Sequence, residues 1–459
     1  MTGFSLVAGM LGAWLGLQDE GRPAASDPPT WSSGIKALVT SHCASCHHPD
    51  GAAPFSLNSP KDFRSRRTFV SHVLKQELMP PWLPTSGVPL TGSRKLSADQ
   101  RALLLAWLEA GCPPGSAESE SVSSDESRPE VPAAGSESDA APGPESVPGS
   151  AQSSSSVTLR MRAPWTVPAE GGVRWFKAER DKRTFVLPVE NPRALRVRVL
   201  DYQSAAPQTL GAVALSADPS GDGRTMVDWD EEPGSYMMAD IRSVPAGSLG
   251  IIGPGGGRLE YPPGFYVQIP SGSDILSEVH YRPQGRERVL DDQLVLETLD
   301  PAERARPLVA LNLMVPRVRL DPGERKPFAN QLTVPVDIDV VALSPRASRR
   351  CVSLLLDATL PGSEEAITVL EIADWNPHYR STLVLEKPLR LPAGTVVRCV
   401  WRYDNSSENP RNPVVPPERV DLGARSGAMN VLLMSAPVTR PEIRPLLDFI
   451  EAESRRNRG

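Results

Sequence analysis

Cys43, Cys46 and His47 stand within five consecutive residues, Cys43-Ala44-Ser45-Cys46-His47. Thiols at this spacing can each add across one vinyl group of a single porphyrin. The histidine that follows is then held at the iron as proximal ligand. The pattern is that of covalent attachment of one haem c. A chain with five Cys and six His offers little scope for a chance match. A zinc half-site would need a second ligand pair at metal spacing, and none is present. A redox dithiol would sit in a βαβ pattern, whereas the flanking residues read as helical.

The opposite side of a haem needs a sixth ligand. Met79 follows His47 by 32 residues, in Leu78-Met79-Pro80-Pro81-Trp82. Its thioether is a soft ligand, and Met/His ligation raises the reduction potential. The prolines would stiffen the loop that presents it. Met79 as a core filler is the plainer alternative. His42 and His48 lie too close to the motif to cross the ring, and His72 falls within the preceding helical pattern.

Residues 31–115 supply the elements that would hold these groups. Ile35, Leu38 and Val39 lead into Cys43 with helical spacing. Ser59-Pro60 is an N-cap with proline at the first helical position. Phe63, Val70, Leu74 and Leu78 are expected to share a face of the next helix. Ser97 with Gln100 predicts a capping box, followed by an apolar stripe of Leu103, Leu104, Trp107 and Leu108. Gly111 and Pro113-Pro114 end it. The expectation is a small all-α unit.

Residues 116–156 are Ser, Glu, Asp, Pro, Gly and Ala with almost no bulky apolar side chains. They read as a disordered acidic linker. As a flexible coil its ends would lie roughly 35 Å apart, leaving the helical unit free of a fixed geometry. Beyond it the period becomes two: Leu195, Val197 and Val199 alternate with Arg196 and Arg198, and similar runs recur near Val318, Val336, Ile367 and Val396. Closely spaced strands punctuated by Pro and Gly predict two β-sandwiches, 157–302 and 303–437, meeting near residues 299–306. Residues 438–459 form a tail with a short helix through Leu446, Leu447, Phe449 and Ile450.

Residues 4–17 are apolar and suit a signal peptide within residues 1–20, or an uncleaved membrane anchor. Haem attachment of this kind points to a periplasmic or other extracytoplasmic location. A net charge of −6 argues against nucleic-acid binding. With two Cys assigned to haem, Cys112, Cys351 and Cys399 are an odd remainder, so no disulfide framework is indicated, although one pair could form outside the cytoplasm. The glycine-rich run 253–257 lacks a following Lys-Ser/Thr and reads as a loop.

A resemblance spans both halves. His42 to His47, Gly51-Ala52-Ala53-Pro54-Phe55-Ser56-Leu57, Met79-Pro80-Pro81-Trp82, Leu96-Ser97 and the run from Trp107 to Gly111 resemble the bacterial cytochrome c domain fused to copper type II, ascorbate-dependent monooxygenase-like domains. That resemblance implies Met79 as the distal ligand. Thr184 to Pro188, Pro270 to Tyr281, Asp374-Trp375 and Tyr403 to Pro413 are similar to the family's β portion. The implied fold there is two tandem jelly-roll sandwiches, as in peptidylglycine α-hydroxylating monooxygenase. The family binds two coppers, one by a His-His pair and a distant His, the other by His-x-His and a Met. Those positions fall on Gln208-Thr209 with His280, and on Arg346-Ala347-Ser348 with Met429. Only His280 and Met429 are kept, and Arg346 would put a fixed cation where a metal should sit. Copper is therefore not expected. His280 would be a strand histidine and Met429 a core methionine.

The expectation for the whole chain is multidomain: a small all-α cytochrome c domain, a disordered linker, then all-β tandem jelly rolls. The implied role is exported electron transfer through one haem c. A redox partner protein or small electron donor would serve it, and membrane association could come through the N-terminus. A haem-fed copper monooxygenase with rearranged ligands, and a structural extracellular haem protein, are the competing readings.

Overall fold

The structure, a computed structural model, describes residues 29–49, 51–82, 84–115, 155–170, 182–235, 247–423 and 429–457. The N-terminal apolar run and residues 116–154 of the expected linker lie outside the described residues. The chain is mostly β-sheet, in several sheets, preceded by a helical unit.

The helical unit is built as local chemistry dictates. A distorted turn, Trp31–Ile35, leads into the helix Lys36–His42, and Pro60–Ser65, Arg67–Lys75 and Ala98–Glu109 follow. The Ser59 hydroxyl accepts from the Asp62 amide, and Pro60 occupies the first turn. Ser97 and Gln100 form the capping box. Phe63, Val70 and Leu74 are buried with Trp31, Leu104, Trp107 and Leu108 in one cluster. The Trp31, Phe63 and Trp107 rings lie 5.1 to 6.0 Å apart. The Trp31 amide and the Trp107 indole both donate to the Pro113 carbonyl, which closes the unit's ends on each other.

Three expectations need correcting here. The helix ends at Lys75, so Leu78 lies beyond it and is 54% exposed. Leu103 is 41% exposed, because Leu104, Trp107 and Leu108 define the buried face and Leu103 sits round from it. The unit is not all-α: Ser86–Gly87 is a strand paired with Ala366–Ile372, and Leu90 bridges to Leu385.

The β portion begins at Ser156, one residue inside the stretch assigned to linker. A four-stranded sheet runs Lys182–Pro188, Asp274–Tyr281, Leu210–Asp218, Ser248–Ile252. A five-stranded sheet runs Ser86–Gly87, Ala366–Ile372, Cys351–Thr359, Val396–Asp404, Arg325–Thr333. Between them lies a nine-stranded sheet. Its path is Leu383–Leu391, Ile338–Ala347, Met429–Pro437, Arg306–Met314, Phe265–Ile269, Leu195–Gln203, Gln293–Thr298, Ser156–Arg160, with Gly256–Glu260 added on Leu195–Gln203. Among the described pairings only Arg306–Met314 with Phe265–Ile269 is parallel.

Strand alternation decides how the layers join. Leu308 and Ala310 enter the core beneath the four-stranded sheet, while Val309, Leu311 and Leu313 enter the core beneath the five-stranded sheet. Met429–Pro437 divides likewise: Leu432, Met434 and Ala436 face one core, Met429, Val431 and Leu433 the other. The two β units thus share strands, each feeding both cores. The terminal helix Ile443–Arg456 buries Leu446 and Ile450 on the second core. Cys351 and Cys399 sit on paired strands, but the register puts Tyr403 opposite Cys351 and Leu356 opposite Cys399. That offset is roughly 13 Å along the ladder, beyond disulfide reach. Both thiols are buried and free.

Leu308→Ala and Leu311→Ala remove side chains from opposite faces of one strand. Each is expected to cost about 2–5 kcal/mol. Because the strand serves both cores, urea unfolding followed by circular dichroism and fluorescence should show one shared transition moving in both variants. Two separable transitions would contradict the shared sheet.

Candidate functional site

The helix Lys36–His42 delivers the thiols and imidazole together. The Cys43 and Ala44 amides donate to the Val39 carbonyl, and the Cys46 and His47 amides donate to the Cys43 carbonyl at 3.1 and 3.0 Å. The chain then reverses. The Ala53 amide donates to the Cys46 carbonyl at 3.0 Å and the Leu57 amide to the His47 carbonyl at 2.9 Å. Gly51 sits in that reversal, where a Cβ would fall 2.1 Å from the Cys46 carbonyl oxygen. Only glycine fits there.

His47 Nδ1 lies 2.9 Å from the Phe55 carbonyl oxygen. A carbonyl can only accept, so Nδ1 carries the proton and Nε2 keeps its lone pair. Burial lowers the His47 pKa, with the Phe55 hydrogen bond opposing in part. The ring is therefore held neutral, the ligating form. Burial, and then the neighbouring Cys46, push the Cys43 thiol up to about 12. A redox-active dithiol lowers its attacking thiol's pKa, so this pair has the opposite character. The Arg94 guanidinium reaches Cys46 Sγ at 3.8 Å.

An apolar surface adjoins the imidazole. The Phe55 ring lies 4.8 Å from that of His47 and 6.2 Å from that of Phe69. Phe69 is 56% exposed, and Leu78 and Leu103 of the same unit are exposed as well. Two free thiols and an imidazole protonated at Nδ1, with Nε2 left to ligate, are the donor set that a covalently held haem would need.

Met79 is half-buried, four residues beyond the helix Arg67–Lys75. His42 Nδ1 donates to the Arg94 carbonyl at 3.2 Å, and His72 is exposed on its helix. Cys112, whose role the sequence left open, is a buried member of the helical core.

The positions that resemblance assigns to copper lie at the junction of the β units. His280 is on Asp274–Tyr281, and its Nε2 is 3.0 Å from Glu278 Oε1. Its Nδ1 is 3.4 Å from Arg380 Nη1. Arg346, on Ile338–Ala347, donates to the same Glu278 oxygen at 3.1 Å, and Lys182 reaches Glu278 Oε2 at 3.4 Å. Burial would push the Glu278 carboxyl up. The His280 hydrogen bond and the charges of Arg346, His280 and Lys182 outweigh it and hold Glu278 well below the usual carboxylate range. Thr209 is buried, and its carbonyl accepts from the Arg282 amide at 2.7 Å, which puts 208–209 beside the end of the His280 strand. Met429 pairs with Ala347 and is buried in the second core. Neighbouring strand residues face opposite sides, so Met429 turns away from Arg346. The structure brings His280 and Arg346 together and leaves Met429 out. Among the described residues, no three His, Cys, Asp or Glu side chains are gathered to hold a metal.

Sequence reasoning missed Glu278. Its spacing from His280 puts both on one strand face, a signal that was available. Its partners Lys182 and Arg346 lie 96 and 68 residues away and carry no such signal.

No family model matches the chain, and no curated protein matches it. Solved structures offer partial likenesses. PNGF-II is 9% identical over 61% of this chain and 65% of its own, with a TM-score of 0.26. The chain thus spans just under two thirds of that protein. A putative secreted protein from Eubacterium rectale is 8% identical over 56% of this chain and 69% of its own, with a TM-score of 0.18. The Gx strain infectious bursal disease virus structure is 10% identical over 65% and 76%, with a TM-score of 0.17. Likeness at these scores carries no weight for fold or function.

Replacing Glu278 by Gln leaves Lys182 and Arg346 facing each other without the carboxylate between them. The expected loss is about 2–3 kcal/mol at neutral pH, below the ~3–5 kcal/mol of a fully buried pair because the cations are partly exposed. Because the folded-state pKa of Glu278 is depressed, its contribution is complete above the unfolded value of about 4.3 and fades as pH falls through the folded value. Melting temperatures from pH 7 to pH 2 should therefore show a shallower acid decline in the variant. A parallel decline would refute the assignment.

Proposed function

We propose that the chain is an exported c-type cytochrome that carries one covalent haem for electron transfer, joined to a degenerate copper-monooxygenase-like β portion used for binding or docking. The β portion is read as tandem jelly rolls by resemblance to that family. The observation that carries the proposal is the hydrogen bond from His47 Nδ1 to the Phe55 carbonyl, directly after Cys43 and Cys46. It fixes Nδ1 as the proton-bearing nitrogen and leaves Nε2 to serve as the ligand.

In this reading the Cys43 and Cys46 thiols would hold the haem through thioethers, formed by addition of each S–H to a vinyl group with no leaving group. His47 and Met79 would serve as its iron ligands. The bound haem supplies one-electron chemistry, with Met/His ligation favouring a high potential. Phe55 orients His47 through its carbonyl and screens it with its ring. Phe69, Leu78 and Leu103 offer apolar cover. The natural partner is a redox protein or small electron donor. The Glu278, His280, Lys182 and Arg346 group speaks against copper chemistry, since Gln208, Thr209, Arg346 and Ser348 occupy four of the six ligand positions implied by the resemblance.

The full chain, made in a host with haem-attachment machinery, should contain one iron and no stoichiometric copper, and should cycle reversibly in a redox titration. Met79→Ala should retain haem, lose the weak sulfur–iron charge-transfer band of the oxidised form and shift to lower potential. Two coppers per chain with substrate-dependent oxygen uptake would establish the monooxygenase reading instead. A haem that fails to cycle would favour a structural role.

A further inference from the structure

The segment just after Met79 is fastened to the β portion. Trp82, Val88 and Leu90 pack against the second β core. The Thr85 amide donates to the Glu371 carbonyl at 2.7 Å, Val88 to Val369 at 3.1 Å and Thr91 to Val384 at 2.8 Å. In return the Glu386 amide donates to the Pro89 carbonyl at 3.0 Å, and the Ala373 amide to Thr85 Oγ1 at 2.9 Å. Ser86 and Gly87 stand in register with Glu371 and Leu370. Residues 85–91 therefore lie along the edge of one sheet and cross to the edge of the next. Gly87 has φ +128°, and a Cβ there would lie 2.5 Å from the Val369 carbonyl oxygen. The close approach depends on glycine.

We infer that this strap positions the distal ligand: residues 85–91, locked to the β sheets through Gly87, hold the Met79 loop where its sulfur can close the haem iron. The inference rests on the haem reading above. It makes the β portion part of the haem site, because Trp82 is seated on the second core three residues after Met79. A helical unit set loose from the sheets would keep its thioethers and His47, which are fixed by its own turns, and lose the restraint on Met79. Gly87 is thus a positioning residue that touches neither haem nor iron.

The test uses the full haem-loaded chain and its Gly87→Val variant, with Gly92→Asn as control. Gly92 has φ +63° and a Cβ there meets nothing within 4 Å. Four quantities are read: the pyridine haemochrome spectrum, the sulfur–iron charge-transfer band, the midpoint potential, and hydrogen exchange at the Val88 and Thr91 amides. Gly87→Val should keep the haemochrome, accelerate exchange at both amides, lose most of the band and lower the potential; Gly92→Asn should match wild type. An unchanged band and potential despite accelerated exchange would overturn the inference. So would unaccelerated exchange, which would mean that Gly87 does not hold the strap. Should Gly87→Val not fold, the Thr85→Val, Ser86→Ala pair must give a partial loss of band and potential, and no change would overturn the inference equally. Wild-type chain without haem defeats the functional reading itself, a result distinguishable from any of these.

Discussion

The architecture depends on one constraint: strands of the central sheet that serve two cores at once. In Arg306–Met314 and Met429–Pro437 successive side chains go to opposite sides, and both sides are packed. Such strands cannot slip by one residue without exchanging the contents of the two cores. They cannot be freed on one side without exposing the other. The junction between the β units is therefore rigid for a reason that lies in strand geometry, and every feature built across it inherits that rigidity. The carboxylate of Glu278 comes from one unit and the guanidinium of Arg346 from the other. Their meeting is a consequence of the shared sheet.

Much of the fold could be read from the sequence where its causes are local. The capping pairs Ser59 with Asp62 and Ser97 with Gln100, and the period-two runs from Leu195 and Val396, depend on residues a few positions apart. Leu103 falls off the buried face because helical periodicity does not tell a face that meets a core from one that meets solvent, and Leu78 because the helix stops at Lys75, short of the apolar spacing. The strap was invisible for a related reason. Residues 85–91 have no strong strand pattern, and their ordering comes from sheet edges nearly three hundred residues away. A long acidic linker suggested a loosely tethered helical unit; the pairing of Ser86–Gly87 with Ala366–Ile372 ties it to the sheets instead.

The site divides along the same line. The grouping of Cys43, Cys46 and His47 was legible because it lies in five consecutive residues of the chain. The tautomer of His47, the high pKa of the Cys43 thiol and the exposed aromatic edge of Phe69 were not, since they arise from burial and from a carbonyl eight residues on. The junction shows the converse. The resemblance put His280 and Arg346 in separate copper sites, whereas the structure joins both to Glu278, whose carboxylate neutralises the cation that would repel a metal. One carboxylate, Glu278, accepts from Arg346 and Lys182 and pairs with His280 within the junction.

The central claim is that Cys43 and Cys46 bind haem covalently. The intact mass of the full chain, produced beside haem-attachment machinery and stripped of non-covalent ligands by acid, tests it most directly. The account predicts the mass of one added haem, mapped by proteolysis to the peptide that contains Cys43 and Cys46. An unmodified mass, with both thiols open to alkylation, would contradict it.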